Sequence, residues 1–136
     1  MKVNAYLNFD GNCEVAFKFY EKHLGGKIEM LSTFEGSPAV SHMPEDWGKK
    51  IMHARLSVGD TILMASDGPP GRYERPKGVS ISLGVDSATE AERIFKALSD
   101  KGIVGMQMAQ TFFAQRFGMV TDQFGIPWMV VCENAG

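Results

Sequence analysis

The chain from Val3 to Phe9 alternates, with Val3, Ala5, Leu7 and Phe9 pointing one way and Asn4, Tyr6 and Asn8 the other. A period of two predicts a strand with one apolar and one polar face. Asp10-Gly11-Asn12 breaks the alternation and places Asn12 to cap a helix. Cys13, Ala16, Phe17, Tyr20 and Leu24 then recur at helical spacing, and Gly25-Gly26 ends the run. Lys27–Phe34 returns to an extended pattern. Glu35–Lys50, punctuated by Gly36, Pro38, Pro44 and Gly48, reads as a loop that carries His42 and Trp47. Ile51–Val58 is the next strand. Met52, Ala54, Leu56 and Val58 share one side; His53, Arg55 and Ser57 share the other. Gly59-Asp60 turns the chain into a returning strand at Thr61–Ala65.

Asp67–Lys77, DGPPGRYERPK, has no periodicity and reads as a surface linker in which Gly71–Arg75 is solvated or covers a pocket. The opening grammar then repeats. Val79, Ile81, Leu83 and Val85 alternate with Ser80, Ser82 and Gly84. Ser87-Ala88-Thr89-Glu90 has the form of a capping box, the serine reaching an amide ahead and the glutamate reaching back. Ala91, Ile94, Phe95 and Leu98 form the helical stripe of Thr89–Ser99, which Lys101-Gly102 stops. Ile103–Met108 is extended. Phe117–Thr121 and Trp128–Cys132 form a hairpin around Asp122-Gln123-Phe124-Gly125, with Pro127 at the start of its second strand. Arg116 and Asp122 stand as lone charges in apolar company, and a salt bridge between them is expected.

The two halves thus share one order: strand, helix, glycine stop, extended segment, loop, hairpin. Pattern rather than identity carries this repeat. The expected fold is α+β: two βαβββ modules, about 1–67 and 78–134 with a linker at 68–77, forming a curved, mostly antiparallel eight-stranded sheet in a single domain. The helices cover the convex side, and the polar parity of the strands, with Asn4, Tyr6, Asn8, His53 and Arg55, lines a concave groove.

Composition narrows the function. The 136 residues carry a formal net charge of −2 with no basic run, which argues against nucleic acid and anionic membranes as partners. No apolar run is long enough to span a bilayer, and the N-terminus turns polar too early for a signal peptide. The two cysteines, Cys13 and Cys132, fall in apolar-patterned elements, which predicts free thiols and a cytoplasmic protein. Cys13 lies in a helix's first turn, where a thiol pKa can fall, but its stripe position favours inert packing. The nine methionines are suited to an adaptable core or pocket lining.

The stretches YLNFDGNCEVAFKFYEKHLGG, KIMHARLSVGD, SDGPPGRYERPKG and RFGMVTDQFGIPW, in that order, resemble the PhnB-like branch of the vicinal oxygen chelate superfamily of glyoxalases, bleomycin-resistance proteins and extradiol dioxygenases. The resemblance implies a homodimer and a ligand in the groove. It also places the metal ligands of other members at Asn4, Met64, Ser80 and Met129. An amide, a hydroxyl and two thioethers are poor ligands for a hard or borderline divalent ion, so no metal and no cofactor is expected. Some members carry a 3-demethylubiquinone methyltransferase label; no Gly-rich loop able to hold a nucleoside cofactor is legible. The expected function is small-molecule binding, with His53, Arg55, Asn4, Tyr6, Trp47, Phe113 and Trp128 as the ligand contacts. The alternative is a lyase, isomerase or oxygenase with a non-standard metal site, or metal-free acid–base catalysis by His53.

Overall fold

The computed structural model describes residues 1–133; the expected end of module two at 134 lies outside them. The elements run β1 (Ala5–Phe9), α1 (Cys13–Leu24), β2 (Lys27–Thr33), β3 (Ile51–Val58), β4 (Thr61–Asp67), β5 (Ile81–Val85), α2 (Ala88–Ser99), β6 (Ile103–Ala109), β7 (Ala114–Thr121) and β8 (Pro127–Glu133). Two short 3-10 turns, Pro38–His42 and Glu45–Trp47, interrupt the loop between β2 and β3. The order is βαβββ twice, as the repeat predicts. The chain divides into two compact units, 1–74 and 75–136, with the boundary inside the expected linker.

Each unit holds a four-stranded mixed sheet. In the first the order is β1-β4-β3-β2, in the second β5-β8-β7-β6. The first and last strands of each module pair in parallel, Ala5 opposite Leu63 and Ile81 opposite Trp128, and the remaining pairs are antiparallel. The helix of each module packs on one sheet face. Phe9 meets Phe17 edge-on at 6.1 Å and Tyr20 at 6.5 Å, over Ala54, Leu56 and Ala65, all fully buried. In the second unit Ala91, Ile94, Phe95 and Leu98 are buried, as are Phe117, Val120, Trp128 and Val130. Each large apolar side chain so covered contributes roughly 1.5–3 kcal/mol.

Several local expectations are corrected. Val3 and Val79 lie outside their strands and are 89% and 70% exposed. Ile51 is 1% exposed although its parity is that of His53, because a register irregularity between Ser32 and Thr33 shifts this end of the ladder. Asn12 occupies the N-cap position of α1, yet its side chain makes no cap bond and its oxygen is buried without a partner. The cap comes from Asp67, read above as linker but in fact the buried last residue of β4. Its two oxygens accept from the amides of Cys13 at 2.9 Å and Ile51 at 2.8 Å. At α2 the Ser87 hydroxyl accepts from the Glu90 amide at 3.1 Å, but Glu90 turns to Arg93 at 3.0 Å rather than reaching back.

Arg116 pairs with Glu92 at 3.2 Å, not with Asp122. The buried Asp122 carboxylate instead accepts from the amides of Phe124 and Ile126 and from the Trp128 indole at 2.7 Å. The glycine stops also differ from expectation. Gly25 takes the left-handed C-cap of α1 with φ 73°, whereas after α2 it is Lys101 that has φ 58°, not Gly102. Gly102 is there for proximity: a Cβ would sit 2.5 Å from the Thr121 carbonyl oxygen. Gly26, where a Cβ would sit 2.6 Å from the Ser57 carbonyl oxygen, is its counterpart in the first module.

Candidate functional site

The face of the first sheet turned away from α1 carries the polar parity. Tyr6, Met64, Arg55 and Met30 form one row across all four strands, since Tyr6 pairs with Met64, Met64 with Arg55 and Arg55 with Met30. Successive side chains of a strand point to opposite faces, so the buried Ala54 and Leu56 fix His53 and Arg55 on this open side. Burying an unpaired guanidinium among the aromatics of α1 would cost several kcal/mol, which sets the choice of face.

Tyr6 reaches over the intervening strand β4. Its ring stacks on His53 with centroids 5.9 Å apart and planes inclined by 29°, and its hydroxyl lies 3.4 Å from His53 Nδ1. When the hydroxyl donates to Nδ1, the ring proton is held on Nε2. Arg55 directs Nη1 at the Met64 thioether, 3.7 Å away. A thioether is a weak acceptor, and a guanidinium has five donors. Among the described residues no carboxylate pairs with Arg55, so its donors remain for water or a ligand.

The other expected contacts are placed as follows. Asn4 is half-buried immediately before β1. Trp47 is half-buried on the second 3-10 turn, beside Gly11, with the Lys50 ammonium 5.8 Å from its ring centroid. Its indole nitrogen is buried without a partner. Phe113 and Trp128 belong to the second unit. Phe113 is 48% exposed and stands edge-on to Phe112 and Phe117, each at 5.2 Å. Trp128 is 1% exposed, with its indole N–H committed to Asp122, so it is held in the core of its module rather than on an open face. The structure therefore brings Tyr6, His53 and Arg55 together. It adds Met30, which sequence reasoning missed because its pairing with Arg55 follows a register irregularity between Ile28 and Met30.

The second module carries the matching row Ser82, Met129, Met119 and Met106. Met64 and Met129 thus hold equivalent positions on the last strands of their modules. These are the positions that the superfamily resemblance assigns to metal ligands, and their chemistry does not fit a divalent cation. Thioethers are soft, Asn4 and Ser80 add no charge, and the Arg55 guanidinium points at Met64, where it would repel a cation. Among the described residues no group of three or more His, Cys, Asp or Glu could hold a metal ion. Behind the sheet, burial first, then the carboxylates of Asp67 and Glu14, push the Cys13 thiol well above the ordinary thiol range. Cys13 and Cys132 are both free and buried. No helix among the described residues is long and apolar enough to cross a membrane.

Known proteins resemble this chain in sequence and fold. The chain is 53% identical to protein PA1353 from Pseudomonas aeruginosa, with a TM-score of 0.89 and 98% of each chain covered. It is 30% identical to protein YjdN of Escherichia coli strain K12 over 96% of this chain and 94% of that protein. A putative 3-demethylubiquinone-9 3-methyltransferase, PhnB protein, from Bacillus cereus shares the fold, with 19% identity, a TM-score of 0.79, and 97% and 99% of the two chains covered. A family profile described as 3-demethylubiquinone-9 3-methyltransferase matches residues 1–131, and the chain therefore belongs to this PhnB-like family, within the glyoxalase type of fold.

Proposed function

We propose that this protein binds a small anionic or carbonyl-bearing molecule on the open face of its first module, without the divalent ion that the superfamily customarily uses. One observation carries the reading. Arg55 and His53 stand side by side on a sheet face, and the guanidinium meets only a thioether. Arg55 supplies charge-assisted hydrogen bonds, His53 donates or accepts one more, Tyr6 borders them, and Asn4 lies immediately before the strand that carries Tyr6. The loops from β1 to α1 (Asp10-Gly11-Asn12) and from β5 to α2 (Asp86-Ser87) are short and not Gly-rich, which favours binding over nucleoside-dependent methyl transfer. Free buried cysteines support a cytoplasmic setting. The exposed Phe112 and Phe113 support a homodimer.

A second reading rests on the Tyr6–His53 contact. A tyrosine that fixes the imidazole tautomer equips His53 as a general acid or base in a metal-free lyase or isomerase. Native mass spectrometry of freshly purified protein separates the two. The binder is expected to retain a small organic mass that Arg55→Ala loses while remaining folded. Affinity for the recovered molecule should fall by roughly 1.5–3 kcal/mol. Stoichiometric zinc, nickel, iron or manganese, with turnover abolished by a chelator, would overturn the proposal. Turnover abolished by His53→Gln but untouched by chelator would favour the second reading.

A further inference from the structure

We propose that a cavity between Ser41–Pro44 and the turn Pro69–Arg72, whose lining includes none of Tyr6, His53 and Arg55, binds a small organic anion. The ligand class is a carboxylate or phosphate monoester with an apolar body. The cavity is about 540 Å³, within the range of roughly 300–1,000 Å³ typical of small-molecule sites. Met43, Pro44, Pro69 and Pro70 give it apolar walls, and its polar lining is Ser41, His42 and Arg72. No lining residue is acidic, although Glu45 and Glu74 are close by in sequence. Among the described residues neither Arg72 nor His42 has an ion pair or side-chain hydrogen bond. One fixed positive charge and one imidazole therefore face apolar walls with nothing of opposite sign, the complement of an anion attached to a hydrophobic group.

Both walls are stiff. Pro69-Pro70-Gly71-Arg72 closes with the Arg72 amide donating to the Pro69 carbonyl at 2.9 Å, and Gly71 has φ 83°. Proline second and a positive-φ glycine third is the composition of a type II turn. The Gly68 amide, donating to Phe9 at 2.8 Å, ties the base of this turn to β1. The facing wall is a 3-10 turn in which the Ser41 hydroxyl donates to Pro38 at 3.1 Å. Its loop is closed at the neck by Phe34 to Lys50 and Glu35 to Gly48 backbone bonds. Walls fixed before binding lower the ordering cost that a ligand must offset.

The test is a two-dimensional NMR titration of the full chain with phenyl phosphate, using benzyl alcohol as the neutral control. Saturable shifts are expected around residues 41–44 and 69–72, with weaker binding of inorganic phosphate and none of benzyl alcohol. Arg72→Gln should weaken phenyl phosphate by about tenfold or more, and His42→Gln by less. Both side chains are exposed, so spectra elsewhere should stay unchanged. Absence of saturation, equal binding of benzyl alcohol, or an affinity unaffected by Arg72→Gln would overturn the proposal. Shifts confined to His53, Arg55 and Tyr6 would also overturn it while leaving the sheet-face reading intact.

Discussion

Asp67 and Asp122 each concentrate several segments on one carboxylate. Asp67 accepts from the start of α1 and the start of β3, and Asp122 from its own turn and the Trp128 indole. Removing either acceptor leaves buried N–H groups without partners, and each bond to a charged group contributes about 1.5–3 kcal/mol. Asp67→Ala is expected to lower stability by roughly 3 kcal/mol or more, read as the shift of the urea midpoint. A loss below 1 kcal/mol would mean that water replaces the carboxylate. Cys13 gives a pH-dependent counterpart. Its native pKa is raised, so the folded state keeps a proton that the unfolded state releases above the ordinary thiol value of about 8.5. The associated stability is complete below that pH and is lost as pH rises beyond it. The urea midpoint should decline above pH 8.5 more steeply for the native sequence than for Cys13→Ala, and the native thiols should react with a disulfide reagent only on unfolding. The role of Asp67 was not legible in the sequence, because the amides that define it lie far away along the chain; for Asp122 the turn was legible, but not the bond to the Trp128 indole, which depends on the geometry of that turn.

Among the elements, α1 and β3 match the sequence reading residue for residue, because stripe and alternation both end at glycines there. The early ends of β1 and β5 did not follow: the strands begin at Ala5 and Ile81, two residues after the apolar alternation does, and for Val79 the partner strand has already run out. β8 begins at Pro127, one residue before the rung Ile81 to Trp128. The candidate site was half legible. Parity alone grouped Tyr6, His53 and Arg55, whereas the Arg55–Met64 contact needs a register that only folding supplies. The two glycines that follow the helices show the same division. Gly102 was read as a helix stop, yet its missing side chain makes room for β7. Gly102→Ala is expected to destabilise by roughly 1–3 kcal/mol through overpacking against the Thr121 carbonyl. Gly84→Ala, with nothing within 4 Å of the added methyl, serves as the control. Equal thermal midpoints for the two variants would refute the close-approach account.

On the scale of the molecule, the repeat gives each module its own core, and we propose that the two nevertheless act as one domain. Circular dichroism and tryptophan fluorescence should then report a single coincident unfolding transition, since Trp47 and Trp128 sit in different units. Two separated transitions would make the modules independent. Sedimentation at micromolar concentration tests the proposed homodimer in the same samples.

The strand order has a consequence during synthesis. β1 is translated before the other strands of its sheet, and among the described residues its neighbour there is β4 alone, so its backbone donors and acceptors wait until Thr61–Asp67 has been translated. The same carboxylate that seats α1 is the last residue of that strand. A nascent chain paused before residue 61 therefore carries an unpaired edge and an uncapped helix at once, the kind of species that associates wrongly or attracts proteases. β5 waits in the same way for β8, Pro127–Glu133. A premature stop that removes β8 would leave β5 without its partner and β7 with β6 alone, and so would disable the second module far out of proportion to the number of residues lost.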